Sequence, residues 1–448
     1  MRIQTSLMCG FGPFAALTCC STAHGQVAPE EQGAAGILTR ERITGDWAGK
    51  RTSLEESGLS IELDYTFDFL SNVSGGVDRD SEILGNVDLV LTADMDKIFG
   101  WKGATASIYG LGTHGGSISD KVGDLQGVDN IEAPATVKLY EAWIEQTFFD
   151  ENVSLLGGLY DVNSEFDVIP SAALFMHSAH GTGSEFGNSG KNGPSIFPVT
   201  SLAARAQVRP TDTTYIRAVV ADGVPGDLGD PIGTQITLDG DDGLLLAAEF
   251  GYYCLPSEEL RGRTRLHKEK VPPAEQRYGH FGKYALGIWG YTSEFNDFFR
   301  LDGSGNPQQN TGTSGVYALG EHGLSYEKDD PFQGLSAFVR VGLADDKANI
   351  FDGYAGGGLV YRGALPGRDQ DRLGLAIAAA HLGDDFQRSI ELGGNGVDDW
   401  EVAIELTYRA WIAPSISIQP DIQYVINPGG APQLDDALIM GARLVLSF

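Results

Sequence analysis

Cysteine is nearly missing from this chain. Of the 4 present in 448 residues, Cys9, Cys19 and Cys20 fall in the first 25, leaving only Cys254 beyond them. A disulfide framework is therefore excluded, and the fold must be held by other means. Long apolar runs are missing too. Mean hydropathy is −0.13, and no unbroken stretch is long enough for a spanning helix. That excludes a helical membrane protein but not a barrel, whose strands dilute their hydropathy by facing water on one side. Basic residues are scarce: 31 Lys and Arg stand against 61 Asp and Glu, a net charge of −30. Phosphate binding needs the opposite sign, so nucleic acid is not a partner. The excess carboxylates read equally well as the lining of a lumen and as solubilising charge.

What is present is alternation. In the closing stretch Leu438, Met440, Ala442, Leu444, Leu446 and Phe448 are all apolar, whereas Ile439, Gly441, Arg443, Val445 and Ser447 are mixed. A period of two with one wholly apolar face is a strand with one side in oil or core. Leu59 to Phe69 repeats the pattern, with Leu59, Ile61, Leu63, Tyr65, Phe67 and Phe69 on one face. The other face carries Glu62, Asp64 and Asp68. Such a strand cannot bury both sides; lipid outside and water inside satisfy it.

Further strands follow at Val87–Met95, Ala104–His114, Val137–Thr147, Val153–Tyr160, Leu202–Arg209 and Thr213–Ala221, then Leu244–Cys254, Phe281–Tyr291, Tyr317–Glu327, Leu335–Leu343, Gly357–Leu365 and Arg372–His381. Glu401–Ala410, Ser415–Ile426 and the closing stretch bring the tally to about sixteen, an even number as bacterial barrels require. Connection lengths support this. Lys97–Gly103, Phe148–Asn152, Pro210–Asp212, Pro366–Asp371 and Trp411–Pro414 are short, while the intervening Asp161–Ser201, Asp222–Gly243 and Leu382–Trp400 are long. Short periplasmic turns alternating with long extracellular loops describe an all-β, antiparallel transmembrane barrel over residues 59–448. Leu255–His280, a basic insertion with Arg261, Arg263, Arg265 and Lys268, breaks the rule as a solvated turn.

Ahead of the barrel, Met1–Gly25 has Arg2, no acidic residue, an apolar middle and Ala23-His24-Gly25 before Gln26. This reads as a signal peptide for export to the outer membrane. Its removal takes one positive charge, −30 − 1 = −31. Residues 26–58 form a periplasmic lead-in with a short helix stopped by Gly58.

Parity assigns the lumen. Glu141, Trp143 and Glu145 share a face opposite Tyr140, Ala142 and Ile144. By the same rule Arg205, Gln207, Arg217, Glu249, Arg340, Arg362, Glu405, Gln423 and Arg443 point inward, either as polar groups of a permeation path or as cross-braces of the wall. Outward Tyr65, Phe67, Tyr252, Tyr361, Tyr408 and Tyr424 suit a girdle against outer-membrane lipid. Catalysis finds no foothold: His177 and His180 lack a third metal ligand, and no serine sits in a nucleophile elbow. Glu141 and Glu145 would lie roughly 13 Å apart at ~3.3 Å per residue, too far for glycoside hydrolysis. No enzyme activity, cofactor or metal is expected.

Gly45-Asp46-Trp47 with Arg51, Asn163-Ser164-Glu165-Phe166, Gly363-Ala364-Leu365-Pro366-Gly367-Arg368, and the block Ile418 through Gly430 resemble the carbohydrate-selective porin (OprB) family. The resemblance runs over nearly everything after the leader. It implies a sixteen-stranded outer-membrane channel for passive diffusion of mono- and oligosaccharides, narrowed by a loop folded into the lumen. The longest connection, Asp161–Ser201, is the candidate loop; it brings Glu165, Phe166 and Asp167 to the inward wall residues. A barrel hydrolase or lipase, a general diffusion porin and a soluble β-sandwich sugar binder are the competing readings. Which sugar passes and whether trimers form stay open.

Overall fold

A computed structural model describes residues 36–254, 282–327, 330 and 333–448. Sixteen antiparallel strands close into one barrel, each paired with its neighbours in sequence and the first paired with the last. They are β1 Leu59–Ser74, β2 Ser81–Asp94, β3 Ala104–Gly115, β4 Thr136–Phe148, β5 Val153–Tyr160, β6 Ser201–Thr211, β7 Thr214–Asp222, β8 Leu244–Tyr253, β9 Lys283–Leu301, β10 Pro307–Gly323, β11 Gly334–Ala344, β12 Phe351–Arg362, β13 Arg372–Leu382, β14 Trp400–Ala413, β15 Ile416–Ile426 and β16 Ala437–Ser447. At the seam Asp68 lies opposite Arg443, and the guanidinium donates to both carboxylate oxygens, Nε at 2.9 and 3.0 Å and NH2 at 2.6 Å.

The alternation has the physical consequence it implies. Along β9 Leu286 and Ile288 are exposed on the outer surface while Ala285 and Trp289 are buried within. The same holds for Leu373, Leu375 and Ile377 against Ala376 and Ala378 on β13. With no edge left open, every strand finds two partners, and this is what stitches the barrel shut in lipid.

Several boundaries differ from the expected ones, and one cause covers most. β9 and β10 run on to Leu301 and from Pro307, across what reads as a long connection. Thr292, Glu294 and Asn296 give β9 a polar, exposed outer face above the lipid while Ser293, Phe295 and Asp297 are buried inside, so the apolar outward face that marks a lipid-spanning strand vanishes. The same applies to β1 beyond Phe69 and to β2 before Val87. β12 instead starts earlier, at Phe351, and stops at Arg362; Gly363, with φ +78, begins the turn. Lengths at the loop end are also less uniform than expected: 75–80, 302–306 and 345–350 are short tips between strands. The basic insertion Leu255–His280 and the leader Met1–Gly25 lie outside the described residues.

At the end carrying the short turns, the predicted helix is α1, Lys50–Glu56. Arg51 lies over the Trp47 ring at 4.3 Å and donates to the Phe448 carbonyl at 3.1 Å. The Gly45-Asp46-Trp47 block thus clasps the seam between β1 and β16.

Candidate functional site

The long connection between β5 and β6, residues 161–200, folds into the barrel. Phe166, Asp167, Met176, His177, His180, Glu185 and Phe186 are buried, far from the usual state of a surface loop. Apolar packing seats it: Phe166, Ile169, Leu174, Phe175 and Phe186 join Leu245, Trp289, Tyr317 and Phe338 of the wall in one cluster. Phe186 stacks on Trp289 with ring centroids 5.2 Å apart.

Charge fixes its position. Arg205 on β6 joins Glu145 on β4 at 2.8 Å and Glu165 of the loop at 2.7 Å. Glu165 also accepts from the Tyr160 hydroxyl at 2.5 Å. Burial pushes the Glu165 carboxyl up, but Arg205 and Arg217 overcome this and hold it below the usual carboxylate range. Arg217 on β7 donates to the Glu165 carbonyl at 2.7 Å, and its guanidinium lies 4.1 Å from the Tyr215 ring. Glu249 on β8 accepts from Tyr215 at 2.7 Å, Tyr317 at 2.8 Å and the Asp167 amide at 3.0 Å. Arg340 on β11 spends all five donors on the loop. Nε reaches Asp167 Oδ1 at 2.9 Å; NH1 reaches the carbonyls of Ala179 and His180; NH2 reaches those of Asp167 and Gly181. Asp167 itself is left-handed, φ +55, and its Oδ2 accepts from Thr182 and the Gly183 amide. A non-glycine residue tolerates that backbone where surrounding bonds over-determine it.

A second loop enters the lumen that the sequence reading did not single out. Residues 116–135 place Ile118, Val122, Val128 and Ile131 in a cluster with Leu70, Leu84, Met176 and Ile439. Glu401 accepts from the Leu125, Gln126 and Gly429 amides. Arg443 reaches beyond the seam to Asp129 at 3.1 Å and Asn130 at 2.7 Å. The two loops also bond to each other, Ser178 amide to Gly127 carbonyl at 2.9 Å and Asn130 amide to Met176 carbonyl at 2.8 Å. Spacing gave one signal, four apolar residues at irregular intervals between polar ones, and it is too weak to distinguish a buried loop from an exposed one.

Four titratable groups on these loops are shifted far from their ordinary values. Burial, with the Asp167 charge, raises the Glu185 carboxyl to about 8, and neither of its oxygens has a hydrogen-bond partner among the described residues. Burial, with the Glu401 charge, raises Asp124 to about 8. Burial lowers His177 to about 3 and His180 well below its ordinary value. Both imidazoles are therefore neutral, and the 3.7 Å approach of His180 to Glu405 is not an ion pair.

The predicted inward residues thus fall into three groups. Glu145, Glu165, Phe166, Asp167, Arg205, Arg217, Glu249 and Arg340 are brought together as a buried brace between loop and wall. Glu141 and Trp143 stand on the wall with the indole half-buried; Trp143 Nε1 donates to Glu141 Oε2 at 3.2 Å. Arg362 is set apart from the others, at the short-turn end of β12, where it bonds Gln370. The expected orientation of Tyr140 is corrected. A register shift between β3 and β4 at Tyr109/Gly110 opposes Tyr140 and Glu141 to one stretch of partner, so both turn inward. Tyr140 OH donates to Asp161 Oδ2 at 2.6 Å. Bulges commonly re-aim a side chain in this way. Among the described residues no three His, Cys, Asp or Glu side chains converge on a metal position.

The family model for the carbohydrate-selective porin, OprB family, matches residues 78–448. Porin B of Pseudomonas aeruginosa is 27% identical over 436 residues, covering 91% of each chain. The high-pH structure of Pseudomonas putida OprB superposes with a TM-score of 0.77 at 24% identity, over 92% of this chain and 99% of that one. The low-pH structure of the same protein gives 0.58 at 19% identity with the same coverage. The barrel, the inward loop and these matches agree: the chain belongs to the carbohydrate-selective porin, OprB family.

Proposed function

We propose that sugars cross this outer-membrane porin between the seated loops and the wall formed by β1 to β4. The observation that carries this is the Trp143 indole, which keeps part of its surface open on a lumen wall while Glu141 holds its Nε1. The ring supplies an apolar face for sugar C–H groups, and Glu62, Asp64 and Thr66, half-buried on the inward face of β1, supply partners for hydroxyls. Contacts of this kind are weak enough for release, which a passive channel requires. The buried brace sets the width of the gap and does not itself touch the permeant. The leader Met1–Gly25 directs export, and the outward apolar band meets outer-membrane lipid.

Reconstitution in planar bilayers tests the reading. Added glucose or a disaccharide should reduce ion current at millimolar concentration. Conductance indifferent to a panel of neutral mono- and disaccharides would refute sugar preference and leave a general diffusion pore.

A further inference from the structure

Three arginines stand in one hydrogen-bonded row on neighbouring strands. Arg362 lies opposite Arg372, and Arg372 opposite Arg409. Residues directly opposite in an antiparallel pair share a face, and here that face is the lumen, since Arg362 and Arg409 are buried within the barrel. Adjacent strands are about 4.8 Å apart, so three guanidinium stems rise side by side. Like charges directly opposite destabilise a sheet. Arg362 is partly answered by its bond to Gln370.

The row continues through Gln419 to Arg443 and Asp68, and the contrast along it is informative. Arg443 is neutralised by Asp68 at 2.6 Å and Asp129 at 3.1 Å. Arg409, although only 3% exposed, forms no ion pair among the described residues; Asp64 acts on it only from a longer distance. Its Nε donates to Ser417 Oγ at 3.1 Å, and among the described residues NH1 and NH2 have no acceptor. The guanidinium lies 4.7 Å from the centre of the Trp411 ring, one inward position further along the same strand. Trp411 and Arg372 are each half-buried.

We propose that Arg409, Arg372 and the Trp411 ring form a subsite for sugars carrying an anionic group, a carboxylate or a phosphate. This deepens the sugar-channel reading and rests on it. The fork of NH1 and NH2 matches two oxygens of such a group, and a charge-assisted pair is roughly twice as strong as the neutral bond a hydroxyl would make. The indole takes the apolar ring face beside it. Trp143, by contrast, stands beside a carboxylate, so the two aromatic stations of the lumen differ in charge preference.

The test compares D-glucuronate with D-glucose, which share a ring and differ by a carboxylate, as blockers of the reconstituted channel. Glucose 6-phosphate and acetate provide further arms. Glucuronate should half-block at a tenth of the glucose concentration or less. In Arg409→Gln the ratio should fall towards one. Stronger block by glucose 6-phosphate would assign the anion as phosphate within the same subsite. Trp411→Ala, the second variant should Arg409→Gln fail to show heat-modifiable gel mobility, should weaken glucuronate block at least threefold. Equal block by glucose and both anionic sugars overturns the proposal. So does a ratio untouched by Arg409→Gln, or acetate blocking as well as glucuronate. Block by glucuronate with none by glucose would sink neutral-sugar passage while leaving the subsite standing.

Discussion

Arg340 offers the sharpest perturbation of the constriction. Replacing it with methionine keeps the stem and removes all five donors. Asp167 then keeps a buried charge without its cation, and the carbonyls of Asp167, Ala179, His180 and Gly181 lose their donors at once. Breaking a buried ion pair by removing one partner costs about 3–5 kcal/mol, because the remaining charge is uncompensated. Each stranded acceptor adds about 1–3 kcal/mol unless water reaches it. The barrel has sixteen paired strands and should survive; the loop has no such reserve. At ~1.36 kcal/mol per decade, the seated state should lose at least two decades of its equilibrium preference. Single-channel recordings should therefore show higher mean conductance with frequent steps, and glucose should block less well. Arg340→Lys retains charge but not the fork, so it should recover only part of the effect. Wild-type conductance and noise in a folded Arg340→Met protein would refute the claim that this side chain holds the loop.

Other outcomes follow from neighbouring residues. Trp143→Ala should raise the half-blocking concentration of glucose several-fold, in line with about 0.5–1.5 kcal/mol for an aromatic contact, without altering heat-modifiable mobility; unchanged block would remove the ring from the path. Gly342→Ala would set a Cβ 1.7 Å from Glu185 Oε1, so that buried side chain must swing aside and the current should become noisier, or the packing argument fails. Glu185 rises from 4.5 to about 8 when the loop is seated. The seated loop therefore binds the proton more tightly, so its stability is full below pH 4.5 and falls as pH climbs towards about 8. Asp124, rising from 3.8 to about 8, adds the same sign. Proteolytic nicking of the loop should increase from pH 5 to pH 9 and do so less steeply in Glu185→Gln; nicking that declines with pH would contradict the assignment.

How much was legible beforehand depended on where water and lipid divide. Where a strand faces lipid on one side, as at Leu59–Phe69 or Leu438–Phe448, side chains alternate and the strand announces itself. Where β9 and β10 rise above the membrane, the outward face turns polar and the signal disappears. Parity likewise carried Glu145, Arg205, Arg217, Glu249 and Arg340 to the lumen, but it fails at a bulge, and Tyr140 was turned inward by one.

The sequence by itself determined the architecture: a β-barrel with an apolar exterior, near sixteen strands, and a long connection rich in charged and aromatic residues. These are local properties, written in period and composition. Only the tertiary structure decided that Arg340 embraces Asp167, that residues 116–135 join the constriction, and that Arg362, Arg372 and Arg409 stand in one row. Each of these depends on register between strands and on contacts across the lumen, bringing together residues as distant as Asp68 and Arg443. No local pattern encodes such partnerships, because they arise only when the cylinder closes and its loops fall inside.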